Sequence, residues 1–158
     1  LVDLFLGDFG RICHASTVAN AAPAAAGLSS IEGVLDHIVI SIRDLDGSRA
    51  FYEQALRPLG LAPILDFPGT TGFGAEGKPE FWIREADDTE PAHIAFRAPD
   101  RPTVDGFYAA ALGAGGTDNG GPGVREIYHP GYYGAFVLDP DGHNIEAVFH
   151  GTTPGDEG

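Results

Sequence analysis

From residue 34 to residue 42 apolar and polar positions alternate. Ile38, Ile40 and Ile42 fall on one face of an extended strand, and His37, Val39 and Ser41 fall on the other. The period then changes. Phe51, Ala55 and Leu59 recur at i, i+4 and i+8, Tyr52 and Leu56 widen the stripe, and Asp46 or Ser48 stands where a helix needs its cap. The same order of signals returns further on: a strand over 91–98, Asp100 as a cap, Pro102 in the first turn, a helix to about Leu112, and Gly113, Gly115 and Gly116 as its stop. Shorter strands separated by turns follow each helix, at about 61–67, 71–74 and 79–85, then at about 123–128, 133–138 and 143–150.

Sliding the chain on itself by 56 residues explains the recurrence. His37-Ile38 falls on His93-Ile94, Asp44 on Asp100, Phe51-Tyr52 on Phe107-Tyr108, Ala55-Leu56 on Ala111-Leu112 and Gly60 on Gly116, eight identities in 24 positions without a gap. The predicted fold class is α+β: two βαβββ modules in one chain, about 31–88 and 89–150, whose sheets carry helices on one face and form a curved cup with the other. A face lined by histidines, charges and aromatics suits a small-molecule ligand.

Composition sets the limits of this unit. The chain has 158 residues, enough for one compact domain. Residues 1–30, with an Ala/Pro stretch at 21–27, are expected to be a flexible extension or leader remnant, and 151–158 a polar tail. Nine basic against 23 acidic residues give a net charge of −14, which repels phosphate backbones and anionic lipid headgroups. No nucleic-acid or membrane partner is expected. A lone cysteine, Cys13, cannot form an internal disulfide, which suits a reducing, cytoplasmic compartment or simply a core large enough not to need staples.

Three residues stand out for chemistry. His37 and His93 open equivalent strands, so a pseudo-two-fold axis brings them together, and Glu146 lies on the face of the last strand opposite its apolar residues. Two imidazoles and one carboxylate suit Fe(II), Mn(II), Ni(II) or Zn(II) with positions left for substrate. Tyr128, His129, Tyr132 and Tyr133 cluster between two strands of the second module, where they could line the mouth and supply a donor or general base, or simply pack as a turn. Trp82, Arg84 and Arg97 fall on the cup side, while His143 falls with Ile145 on the other and reads as structural. His14 and His150 receive no role.

The stretches Leu35-Asp36-His37-Ile38, Ser48-x-x-Phe51-Tyr52-x-x-Ala55-Leu56, Ala92-His93-Ile94-Ala95-Phe96 and Asp139-Pro140-Asp141-Gly142-His143-Asn144-Ile145-Glu146 resemble the vicinal oxygen chelate superfamily, which includes glyoxalase I, extradiol dioxygenases, fosfomycin-resistance enzymes and bleomycin-resistance proteins. The resemblance covers roughly residues 33–150. It implies paired βαβββ modules, frequent homodimers, and a divalent metal that substrate chelates through vicinal oxygens. By position, His37, His93 and Glu146 match three of the family's ligand sites.

Departures separate the members. Glyoxalase I takes a fourth ligand from the last strand of the first module, where this chain has Trp82, or Phe81 if the register shifts by one. Neither side chain binds a metal. The extradiol signature fits at His129, Asp139-Pro140-Asp141-Gly142 and Glu146, but Phe136 stands where a tyrosine belongs. Fosfomycin-resistance enzymes need anion-binding basic residues, which are scarce in so acidic a chain. The expectation is therefore a metal-dependent, dioxygenase-like or glyoxalase-like enzyme acting on a small oxygenated molecule. His129, Tyr128 and Tyr133 are its candidate catalytic groups, and Trp82, Arg84, Arg97, Tyr132 and Phe136 its pocket. The rival is a metal-free binding protein of the bleomycin-resistance type.

Overall fold

The structure, a computed structural model, describes residues 35–151. The proposed extension over 1–30, with Cys13 and His14, and the tail beyond residue 151 lie outside the described residues. The first module runs β1 (Ile38–Ile42), α1 (Leu45–Ala55), a short 3-10 turn (Arg57–Leu59), β2 (Ala62–Phe67), β3 (Thr70–Ala75) and β4 (Lys78–Glu85). The second runs β5 (His93–Arg97), α2 (Arg101–Gly113), β6 (Thr117–Asp118), β7 (Gly123–Val124), β8 (Tyr132–Leu138) and β9 (Asn144–His150). Each module makes its own mixed sheet, ordered β1-β4-β3-β2 in the first and β5-β9-β8-β6 in the second, with β7 also paired to β8. In both, the first strand runs parallel to the last.

Local chemistry accounts for most boundaries. Asp44, and not Asp46 or Ser48, caps α1: its carboxylate accepts from the Gly47 amide at 3.3 Å. Ser48 is instead buried and donates to Asp141 at 3.3 Å. Asp100 caps α2 by accepting from the Thr103 amide at 2.8 Å. The strand expected over 123–128 is only the two residues Gly123–Val124, because the chain leaves the sheet after Arg125 and returns at Tyr132, closed by an Arg125 amide to Tyr132 carbonyl bond of 2.9 Å.

The helix-facing sides of both sheets share one core, with Ile42, Phe51, Tyr52, Phe73, Phe81 and Ile83 from the first module and Val104, Phe107, Val137 and Ile145 from the second. Phe81 and Phe96 meet edge to face across the modules at 5.3 Å. A polar latch adds to this. The Tyr52 hydroxyl donates to Asp139 at 2.5 Å, and Asp139 also accepts from the His143 amide at 2.7 Å. His143 is fully buried: its Nδ1 accepts from the Ala92 amide at 3.0 Å, so its Nε2 carries the proton and donates to the Ser41 carbonyl at 2.8 Å. One side chain thus ties the turn before β9 to β1 and to the start of β5, the structural part expected of it.

Candidate functional site

Strand register decides which side chains share the cup. Ala95 pairs with Glu146, and Phe136 pairs with Glu146 from the other side, so Glu146 stands between β5 and β8 on the face away from the core. His93, two residues before Ala95, shares that face. In the first module Val39 pairs with Trp82. Since Val39 and Ala95 are repeat equivalents, Trp82 occupies the place that Glu146 holds in the second module, and the shifted register that would have put Phe81 there is not adopted. Trp82 is 4% exposed, stacks with Phe67 at 6.1 Å, and lies over Gly72, where a Cβ would come within 2.7 Å of the indole. This half of the cup is filled by a ring. The other half carries the polar groups.

Glu146 retains 2% exposure, and burial of a carboxylate is costly unless its oxygens are engaged. One oxygen faces His93 Nε2 at 2.9 Å and the other accepts from the Tyr132 hydroxyl. Gly134 makes room for this, since a Cβ there would stand 3.1 Å from both the carboxylate and the Tyr132 ring. Burial, followed by the Glu146 hydrogen bond and charge, pushes the Tyr132 phenol far above its ordinary range. Tyr132 is therefore a proton donor held on Glu146, and not a base. His93 leaves half of its side chain exposed and meets the Phe136 ring edge-on at 6.1 Å.

The remaining candidates divide between this cluster and elsewhere. His129 packs against Tyr132 and pairs with His150: its Nδ1 accepts from the Gly131 amide at 3.1 Å, so its Nε2 donates to His150 Nδ1 at 2.9 Å. His150, given no role from sequence, is thus the partner of a candidate base. Tyr128 packs on Tyr132 with ring centres 4.8 Å apart and is exposed at the rim. Tyr133 belongs on the other face. It opposes Phe149, not Glu146, and its hydroxyl donates to Asp105 of α2 at 2.8 Å, so alternation along β8 takes it away from the cup. Arg97 lies on the cup side of β5, exposed, and Arg84 on the cup side of β4.

His37 contacts Asp36 through Nδ1 at 2.7 Å and lines an open cleft of about 190 Å³ with Glu80, Phe81 and Ala95. Ala95 is the strand neighbour of Glu146, yet among the described residues no three His, Cys, Asp or Glu groups converge as a metal site. The structure gathers His93 and Glu146 and leaves His37 apart from them. Those two offer donors of the kind that could hold a divalent ion, an imidazole nitrogen and a carboxylate oxygen facing each other.

The glyoxalase/bleomycin resistance protein/dioxygenase superfamily model matches residues 34–147, most of the chain, with His37, His93 and Glu146 among them. The chain belongs to this superfamily. Among solved structures, a glyoxalase/bleomycin resistance protein from Albidiferax ferrireducens T118 is 26% identical with a TM-score of 0.64, the match covering 73% of this chain and 98% of that one. A glyoxalase/bleomycin resistance protein/dioxygenase family enzyme from Burkholderia phytofirmans PsJN is 23% identical (TM-score 0.59; 73% and 98% covered). A lactoylglutathione lyase from Agrobacterium tumefaciens is 20% identical (TM-score 0.56; 74% and 93% covered), and both share the fold. No curated protein matches the sequence significantly. Superfamily membership carries with it a small-molecule binding cup, and metal dependence is common in the superfamily. Among the described residues no helix is long and apolar enough to cross a membrane.

Proposed function

We propose that this protein is a metal-dependent enzyme of the superfamily that acts on a small oxygenated organic molecule in the cup of its second module. One observation carries the reading: a buried carboxylate, Glu146, meets an imidazole Nε2 on one oxygen and a phenol on the other, beside the Phe136 ring. His93 and Glu146 would be the two ligands already brought together, and His37, which lines the cleft beside Ala95 but stands apart from them, would join as the third only if ion binding drew it in. A divalent ion there supplies Lewis-acid activation of adjacent substrate oxygens or, as Fe(II), a site for dioxygen.

The chain's own residues do the rest. Tyr132 holds the Glu146 carboxylate in one orientation and keeps its proton, as an outer partner of a ligand does. Phe136 walls the site against water, with His93 edge-on to it. His129, fixed in one tautomer by Gly131, can pass a proton at Nε2 in exchange for its bond to His150. The ring of Trp82 over Gly72 occupies the position of a fourth ligand, which favours a two-histidine, one-carboxylate site and a dioxygenase-like member ahead of a glyoxalase-like one.

A specific observation favours the metal-free rival as well: His93 and Glu146 already satisfy each other, as in a binding protein that needs no ion. Metal content separates the two. Protein purified without chelator, or loaded with Fe(II), Mn(II), Ni(II) or Zn(II), retains stoichiometric metal that His93→Ala abolishes; no retention of any of the four ions would leave the binding-protein reading in place. Oxygen uptake with a catechol panel then tests the dioxygenase subtype.

A further inference from the structure

Arg125 is a cation in the cup that the sequence patterns pass over. Its backbone pairs with Tyr132, so its side chain starts on the same face as Tyr132. The guanidinium then lies 5.6 Å from the centre of the Phe136 ring, whose other contact is His93. One glycine makes room for it, since a Cβ at Gly123 would come within 2.8 Å of Nη1, and Gly121 accepts from Nη2 through its carbonyl at 2.6 Å. The loop holds this side chain in place through backbone carbonyls, Gly121 and, at 3.5 Å, Val124. Its charge reaches Tyr132, where it opposes the rise of the phenol.

What Arg125 lacks is a carboxylate. Among the described residues Arg43, Arg49 and Lys78 have acidic partners, whereas Arg125, like Arg57, Arg97 and Arg101, has none; of these four only Arg125 has its guanidinium over the Phe136 ring. Glu146, the cross-strand partner of Phe136, has both oxygens taken by His93 and Tyr132. A guanidinium has five N–H donors in a planar fork matched to a carboxylate, and two carbonyls use only part of it. The net charge of −14 is no obstacle at this range, because exposed charges beyond about 8–10 Å are screened at physiological salt.

We infer that Arg125 is an anion anchor, and that the cup takes a flat, carboxylate-bearing small molecule whose acid group pairs with Arg125 and whose body lies against Phe136 and Tyr132. This deepens the proposed function by naming its substrate class.

The test uses the full chain stripped of metal with chelator, so that failure of the metal reading leaves it intact. Benzoate, benzamide and benzylammonium are titrated and followed by chemical-shift changes of the Phe136, Tyr132 and Arg125 amides. Benzoate is expected to bind at least tenfold more tightly than benzamide and to weaken as salt is raised, with benzylammonium weakest. Arg125→Gln removes the preference for benzoate, and Arg125→Lys, which keeps the charge but not the fork, restores part of it. Equal affinities for benzoate and benzamide, no benzoate binding, or an unchanged preference in a folded Arg125→Gln variant would each overturn the proposal.

Discussion

Tyr132 and Glu146 are one unit at the scale of single residues. The hydroxyl holds one carboxylate oxygen while the other faces His93. Removing the partner that orients a ligand costs about 10–100-fold in metal affinity, so Tyr132→Phe should lower the affinity for Mn(II) or Zn(II) by that factor while the fold, read by circular dichroism, persists. Tyr52 is the corresponding residue of the latch. Burial, then the charge and hydrogen bond of Asp139, raises its phenol well above 10, the unfolded value. The folded state therefore holds this proton more tightly than the unfolded one. The stability this provides is present in full below pH 10 and is lost as pH rises toward the higher folded value. Chemical denaturation at pH 8 and pH 11 should show a fall for the wild type and a smaller one for Tyr52→Phe. That variant is itself less stable by about 1–3 kcal/mol at pH 8, because a buried acceptor on Asp139 loses its donor.

At the scale of elements, the repeat shows how far the pattern reaches. Equivalent residues Val39 and Ala95 pair with Trp82 and Glu146, so the same strand geometry yields a packed ring in one module and a polar site in the other. Trp82→Ala should cost about 3–5 kcal/mol, the usual loss for a buried aromatic, measured as a shift in the urea midpoint. Both βαβββ modules and the shared face of His93 and Glu146 were legible from alternation and the 56-residue offset, because period and register depend on local sequence, whereas His37 precedes β1 and stands apart from that pair, contrary to what the repeat suggested. What was not legible depends on folding back in space. Tyr133 was grouped with its neighbours by proximity in sequence, whereas alternation along β8 sends it to Asp105. Arg125 stands in a segment too irregular for a period, and only Gly123, where a side chain would crowd the guanidinium, marks its place. The bond from Tyr132 to Glu146 crosses from one strand to the next, which no spacing within either strand predicts.

The whole molecule is organised around a division of labour. The helix-facing sides of both sheets share one core, and the Tyr52–Asp139 and His143–Ser41 bonds join the modules by polar contacts on top of it. Stability thus comes from one side of the sheets, which leaves the other free to hold a buried carboxylate, an exposed imidazole and a cation. The central claim is that His93 and Glu146 bind a divalent metal ion. Calorimetric titration of Mn(II) into chelator-treated protein tests it most directly, in the wild type and in Glu146→Gln, which keeps the shape of the side chain and removes its charge. The account predicts stoichiometric binding to the wild type, with the His93 proton carried on Nδ1 so that Nε2 is free to ligate, and at least a hundredfold weaker binding to the variant. The same affinity in both proteins, or no binding to the wild type, would contradict it.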